Sequence, residues 1–168
     1  RLRSLGYRRP GLFLQRHHDE RLQYRWCAAF RAFQESQPGL ELVPPLIVPE
    51  PARDNFVPWF RRHQPDVVLG HDTAAIGWME SAGALVPERH GFLCLNALRR
   101  TRPAAALDLQ PRVLGARATE LLIAQVQRNE TGSPEWPSTT TIPARWVDGP
   151  TLLRADSAAG ERKTRNAR

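Results

Sequence analysis

Gln64 to Asn96 reads QPDVVLGHDTAAIGWMESAGALVPERHGFLCLN, and this stretch decides the fold. After Pro65 and Asp66 comes Val67-Val68-Leu69, a short, β-branched run bounded by breakers, the pattern of a strand buried on both faces. Gly70 and His71 make a turn. Asp72 stands at a helix N-cap, and the helix runs through Ile76, Met79 and Ala82 until Gly83 stops it. Beyond the Pro87 turn a second apolar run, Phe92-Leu93-Cys94-Leu95, ends in Asn96. Strand, helix and strand within about thirty residues make a βαβ unit with parallel strands and a right-handed crossover. Ligands of open α/β sheets collect beyond the carboxyl ends of the strands, and here those ends carry His71, Asp72 and Asn96.

Toward the N-terminus, Gly11–Gln15 is expected as a first strand, ending in the polar run Arg16-His17-His18-Asp19-Glu20. A helix is expected from Asp19 to Ser36, with Leu22, Trp26, Ala29, Phe30 and Phe33 on one face. Leu46-Ile47-Val48 follows as a second strand. A helix from Ala52 to His63 then turns Phe56, Trp59 and Phe60 to the core. The order βαβαβαβ implies an α/β fold, a parallel sheet in a three-layer sandwich with helices on both faces. Toward the C-terminus, Ala97 to Ala106 reads as a loop, and Leu107 to Gln110 as a short extended segment stopped by Pro111. Arg112 to Asn129 reads as a helix with an apolar face at Leu114, Ala118, Leu121 and Leu122. Thr139 to Pro143 reads as a strand, with Arg145-Trp146-Val147 continuing or pairing with it.

A chain of 168 residues with 41% apolar content makes one domain with a real core. No run approaches eighteen apolar residues, so no membrane span is expected. The opening RLRSLGYRRPG has no apolar signal-peptide region and no Met, and is expected to continue something larger. The net charge of +7 lies at the ends: four Arg and no acid in 1–9, five basic and two acidic groups in 154–168. Residues 10–153 hold 15 groups of each sign, which argues against a nucleic-acid groove on the folded body. The basic tail, 154–168, is expected to be disordered. Cys27 and Cys94 stand in apolar segments without metal-ligand spacing, so free thiols in a reducing, cytoplasmic setting are expected. The chain carries no GxGxxG, Walker loop, GxSxG or HExxH; neither an enzyme nor a cofactor is expected.

Several motifs in order carry a family likeness. Gly6-Tyr7-Arg8-Arg9-Pro10-Gly11 leads into the first strand, and Pro65-Asp66-Val67-Val68 into the third. Asp72, Gly83, Val86-Pro87 and Leu95-Asn96 follow, then Gln110 with Gly115 and Ala118. Gly132 with Pro134, and Arg145-Trp146-Val147 through Thr151, complete the set. The chain from about Leu5 to Thr151 thereby resembles the effector-binding core of lactose-repressor/galactose-repressor (LacI/GalR) transcription regulators, which have the class I periplasmic-binding-protein fold. The resemblance implies two lobes closing on a small sugar- or nucleoside-like ligand. Residues 1–153 would form a partial effector-binding domain, with 5–106 and 138–153 in the second lobe and the helix at 111–130 packing on a first lobe absent here. DNA would be bound only through an absent N-terminal helix-turn-helix, in a homodimer. The alternative is a lobe of a periplasmic sugar-binding protein serving a transporter.

Carried over by position, Asp72 matches a residue that contacts ligand hydroxyls, Asn96 an Asp that ends the family's strand, and Gln110 a hinge-side polar contact. The family's ligand-gripping Arg would fall at Trp26, which suits stacking on a sugar ring. With that Arg and the carboxylate at Asn96 both gone, a cleft of reduced charge is expected. His17 and Asp19 become ligand contacts if their loop faces the cleft; a metal there is not expected, because adjacent histidines rarely converge on one ion. Each residue also has a plainer role open to it: Asp72 as an N-cap, Asn96 as a turn former, Trp26 as core, His17 and Asp19 as loop residues.

Overall fold

The computed structural model describes residues 1–153; the basic tail lies outside the described residues. Six strands form one sheet in the order β2-β1-β3-β4-β5-β6. They are β1 (Pro10–Gln15), β2 (Leu46–Val48), β3 (Val67–Gly70), β4 (Gly91–Cys94), β5 (Ala105–Asp108) and β6 (Arg145–Val147). All neighbours pair in parallel except β5 with β6. The helices are α1 (Arg16–Glu20), α2 (Arg25–Ser36), α3 (Arg53–His63), α4 (Ala74–Ser81) and α5 (Pro111–Gln127), with a 3-10 turn at Ala97–Arg99. No helix among the described residues is long and apolar enough to cross a membrane.

The central strands β3 and β4 carry no polar side chain because both faces are covered. Alternate side chains go to opposite layers: Phe13, Val68, Phe92 and Cys94 pack with Phe56, Trp59 and Phe60 of α3 and with Ile76 and Met79 of α4. Leu12, Leu14 and Leu95 face the other way, onto Phe30 of α2. The same side is closed by Leu5 and Tyr7 of the N-terminal segment, packed with Val67, Leu93 and Leu152. The expected layers are present. At Gly91 the Tyr7 ring lies so close that an added Cβ would meet its hydroxyl at 2.5 Å, so no larger residue fits there without movement.

Polar side chains pin the strands. Asp66 accepts hydrogen bonds from the backbone N–H groups of Arg8 (2.5 Å) and Arg9 (2.9 Å), tying the approach to β1 against the start of β3. Thr151 donates to the Phe92 carbonyl at 2.7 Å and accepts from Ala105 N–H at 3.0 Å, bridging β4 and β5 at their amino ends.

Four expectations need correction. The helix placed from Asp19 to Ser36 is broken: Gln23 and Tyr24 adopt left-handed backbone, φ 53° and 60°. The buried Asp19 carboxylate then accepts from Trp26 and Cys27 N–H, at 3.1 and 3.3 Å, across the gap. No Gly or Pro marks the break; the buried carboxylate's need for donors makes it. The face of α2 is also rotated, with Phe30 and Gln34 buried while Leu22 and Phe33 are exposed. Gln34 is held inside by donating to the carbonyls of Pro10 and Val43, both at 3.2 Å.

Downstream, the extended segment placed at Leu107 to Gln110 begins earlier, as β5, and the expected loop from Ala97 to Ala106 contains both the 3-10 turn and the first half of that strand. Ala104, Ala105 and Ala106 are buried, Ala104 and Ala106 in one layer and Ala105 in the other. Thr139 to Pro143 forms no strand; those residues run irregular and mostly exposed beside β6. Finally, α4 begins one residue later than placed and ends at Ser81. Thr73 is its backbone N-cap, and Asp72 caps from outside by accepting from Ala74 N–H at 2.8 Å.

Candidate functional site

Parallel pairing sets Gly70 of β3 opposite Cys94 of β4. Asp72 and Asn96 each lie two residues beyond that pair, on one rim, where neighbouring strands are about 4.8 Å apart. The chain leaves β1, β2, β3 and β4 along this same edge, and a cavity of about 260 Å³ opens there. That is a little below the ~300–1,000 Å³ typical of small-molecule pockets. Phe13 and Gln15 of β1 and Pro51 after β2 line it. His18, His71, Asp72 and Arg99 supply its polar wall.

The two imidazoles are the distinctive feature. His18 comes from the five-residue α1 immediately after β1, and His71 from the turn after β3. Their ring centroids are 4.7 Å apart at 66°, and Trp26 meets His71 from the side at 5.7 Å, nearly perpendicular. His18 is 7% exposed and His71 9%. The Nδ1 atoms of both are buried without a hydrogen-bond partner, although buried polar atoms are normally satisfied. Burial holds the His71 pKa down from 6.5 to about 4, and the charges of Arg99 and Arg21 push the same way. His18 is lowered by the same causes. Both rings are therefore neutral near pH 7, each offering one donor and one acceptor nitrogen.

The loop that carries Arg99 is braced. Asn96 Oδ1 accepts from Leu98 N–H at 3.1 Å, starting the 3-10 turn. Thr73 and Thr101 hydroxyls meet at 2.7 Å, and Thr101 N–H donates to Thr73 at 3.1 Å. Among the described residues, no group of three or more His, Cys, Asp or Glu could hold a metal.

The residues singled out from sequence separate at this edge. Asp72 lines the cavity. Asn96 stands beside it on the rim, with its side chain turned to the 3-10 turn. Trp26 reaches the cavity wall through His71 and also packs against the layer of Leu12, Leu14 and Phe30. His17 is exposed next to His18, and Asp19 is committed to the start of α2. Gln110 sits apart, at the start of α5, donating to the Pro143 carbonyl at 2.7 Å. The expected loss of charge is not what the geometry has, because Arg99 enters the wall. His18, Arg99 and Thr101 carry no pattern of their own in sequence. His71 does: it is the residue directly after a buried parallel strand.

Over residues 1–152 the sequence matches a family described as periplasmic binding protein-like domain. Solved structures with the same fold include three regulators. A LacI-family transcriptional regulator from Silicibacter pomeroyi is 19% identical, with TM-score 0.65, over 91% of this chain and 50% of its own. The transcription regulator CcpA of Lactococcus lactis is 12% identical, with TM-score 0.61, over 90% and 58%. A LacI-family regulator from Enterococcus faecium with bound ribose is 16% identical, with TM-score 0.57, over 90% and 59%. The chain thus spans between half and three-fifths of the length of these proteins. No curated protein matches it.

Proposed function

Since the chain belongs to the periplasmic binding protein-like domain family, we propose that it is the effector-sensing part of a LacI-type transcription regulator, taking a small sugar-like molecule in the cavity at the carboxyl edge of the sheet. One observation carries the reading: polar side chains from three separate segments, His18, His71 with Asp72, and Arg99, converge on that cavity. Asp72 adds an acceptor for hydroxyl groups on the same wall, with Trp26 packed behind His71. The ribose in the Enterococcus faecium relative supports a ligand of this size and polarity.

In this reading the ligand is enclosed between the described lobe and a companion lobe outside these 168 residues. The apolar side of α5, on which no residue is buried, then packs against that companion, and Gln110 stands at the crossing between the two. Ligand binding changes lobe closure, and so the spacing of two DNA-binding heads in a cytoplasmic homodimer. It does so only to the extent that the ligand binds the two closure states with different affinity.

The test is thermal unfolding of the complete regulator with pentoses, hexoses and nucleosides at millimolar concentration. A ligand present at a hundred times its Kd stabilises by about 2.7 kcal/mol, a shift of several degrees. Absence of a shift with all of them would overturn the reading.

A further inference from the structure

We propose that the ligand of this cavity is an acidic sugar, a polyol carrying one carboxylate or phosphate group. The anion would sit between Arg99 and the His18–His71 pair, and the hydroxyls against Asp72. This rests on the effector-binding reading and narrows its ligand class.

The argument starts with charge balance at the wall. Arg99 lines the cavity and its guanidinium makes neither a side-chain hydrogen bond nor an ion pair among the described residues, whose ion pairs lie elsewhere. Arg21, just after α1, likewise forms no ion pair among the described residues. The charged side chains acting on both imidazoles are these two arginines, and both push toward the neutral ring. Of the nearby carboxylates, Asp19 is turned to Trp26 and Cys27 N–H and Asp72 accepts from Ala74 N–H through one oxygen; neither forms an ion pair with Arg99. The wall therefore holds one cation without an ion-pair partner, Arg99, beside the two imidazoles, together with the Asp72 carboxylate. A neutral sugar would leave Arg99 without an ion-pair partner. An anion supplies that partner, because its oxygens accept from the guanidinium, and from any imidazole N–H turned to the cavity, in charge-assisted bonds. The second Asp72 oxygen remains open to a ring hydroxyl.

The experiment is calorimetric titration of the complete protein with matched pairs: glucuronate and glucose, galacturonate and galactose, ribose 5-phosphate and ribose. The acid of at least one pair is expected to bind about tenfold or more tightly than its neutral partner, the scale of one charge-assisted bond. A carboxylate or a phosphate as the preferred anion is read from which pair separates. Arg99 is exposed, so Arg99→Ala should fold normally and lose most of the preference for the acid over its neutral partner. Arg99→Lys should recover part of it. Neutral sugars binding as tightly as their acids, or an acid affinity indifferent to Arg99→Ala, would overturn this inference and leave the sensing reading standing. No binding by any member of the three pairs would overturn the acidic-sugar inference, whereas the sensing reading fails only if nucleosides and further sugars are also without effect.

Discussion

His18 and His71 meet edge to face, ring centroids 4.7 Å apart, although 53 positions separate them in the sequence. The contact exists because β1 and β3 are parallel neighbours that release the chain at the same edge. Its consequence for stability is a dependence on pH. Burial holds the His71 pKa at about 4, below the ordinary 6.5, so folding favours the neutral ring. The contribution is fully present above about pH 6.5 and is lost as the pH falls through 4. A shift of this size corresponds to about 3 kcal/mol at most. Urea midpoints at pH 7.5 and 4.5 should therefore fall with acid, and His71→Gln should flatten that difference. An unchanged pH dependence in the variant would show that His71 does not carry it.

Asp72→Ala and Asn96→Ala separate ligand contact from capping. Each removes an acceptor at the start of a helical turn, Ala74 N–H for Asp72 and Leu98 N–H for Asn96, at a cost of about 1 kcal/mol. The fold should persist, with circular dichroism unchanged. Ligand stabilisation in thermal unfolding should drop for both, and more for Asp72→Ala, since its side chain lines the cavity. Retention of full ligand stabilisation in both variants would place the site elsewhere.

How much of this was visible in the residues follows the range of the interactions. Val67–Leu69 and Phe92–Leu95 declare themselves as buried strands by composition, and the breakers around them fix the parallel unit and the edge where Asp72 and Asn96 emerge. The break in the helix after Asp19 is not visible, because it depends on a buried carboxylate finding donors seven and eight residues on. Trp26 was placed on an apolar face by periodicity, and its contact with His71 depends on the register of two strands. Arg99 is one arginine among 23; only the 3-10 turn started by Asn96 brings it into the cavity wall. Local patterns thus announced the layers and the rim, while the polar wall arises from contacts between segments far apart in sequence.

Thr151 offers a test of the frame independent of any ligand. It is 4% exposed and its hydroxyl both donates to Phe92 and accepts from Ala105. Thr151→Val keeps the shape and leaves a buried carbonyl and a buried N–H without this partner. The expected loss is about 2–4 kcal/mol in equilibrium urea unfolding. Thr139→Val, at an exposed position, should stay within about 0.5 kcal/mol. Equal effects from the two would mean that the bridge between β4 and β5 is not what secures the C-terminal segment.

The last prediction concerns α5. Leu121, Leu122, Ile123 and Val126 are 43–69% exposed, and no residue of the helix is buried. Patches of this kind on an isolated chain promote association. The 168-residue chain is expected to self-associate as its concentration rises, and Leu122→Lys with Val126→Glu should suppress that in light scattering. Because neither side chain is packed, the pair should change the unfolding free energy of the dispersed chain by no more than about 1 kcal/mol. In the complete two-lobed protein proposed above the same pair should cost several kcal/mol, because there it would place charge in the proposed contact with the companion lobe. A pair that is neutral in the complete protein as well would show that this face stays in water, and the two-lobed arrangement would then need another surface to join it.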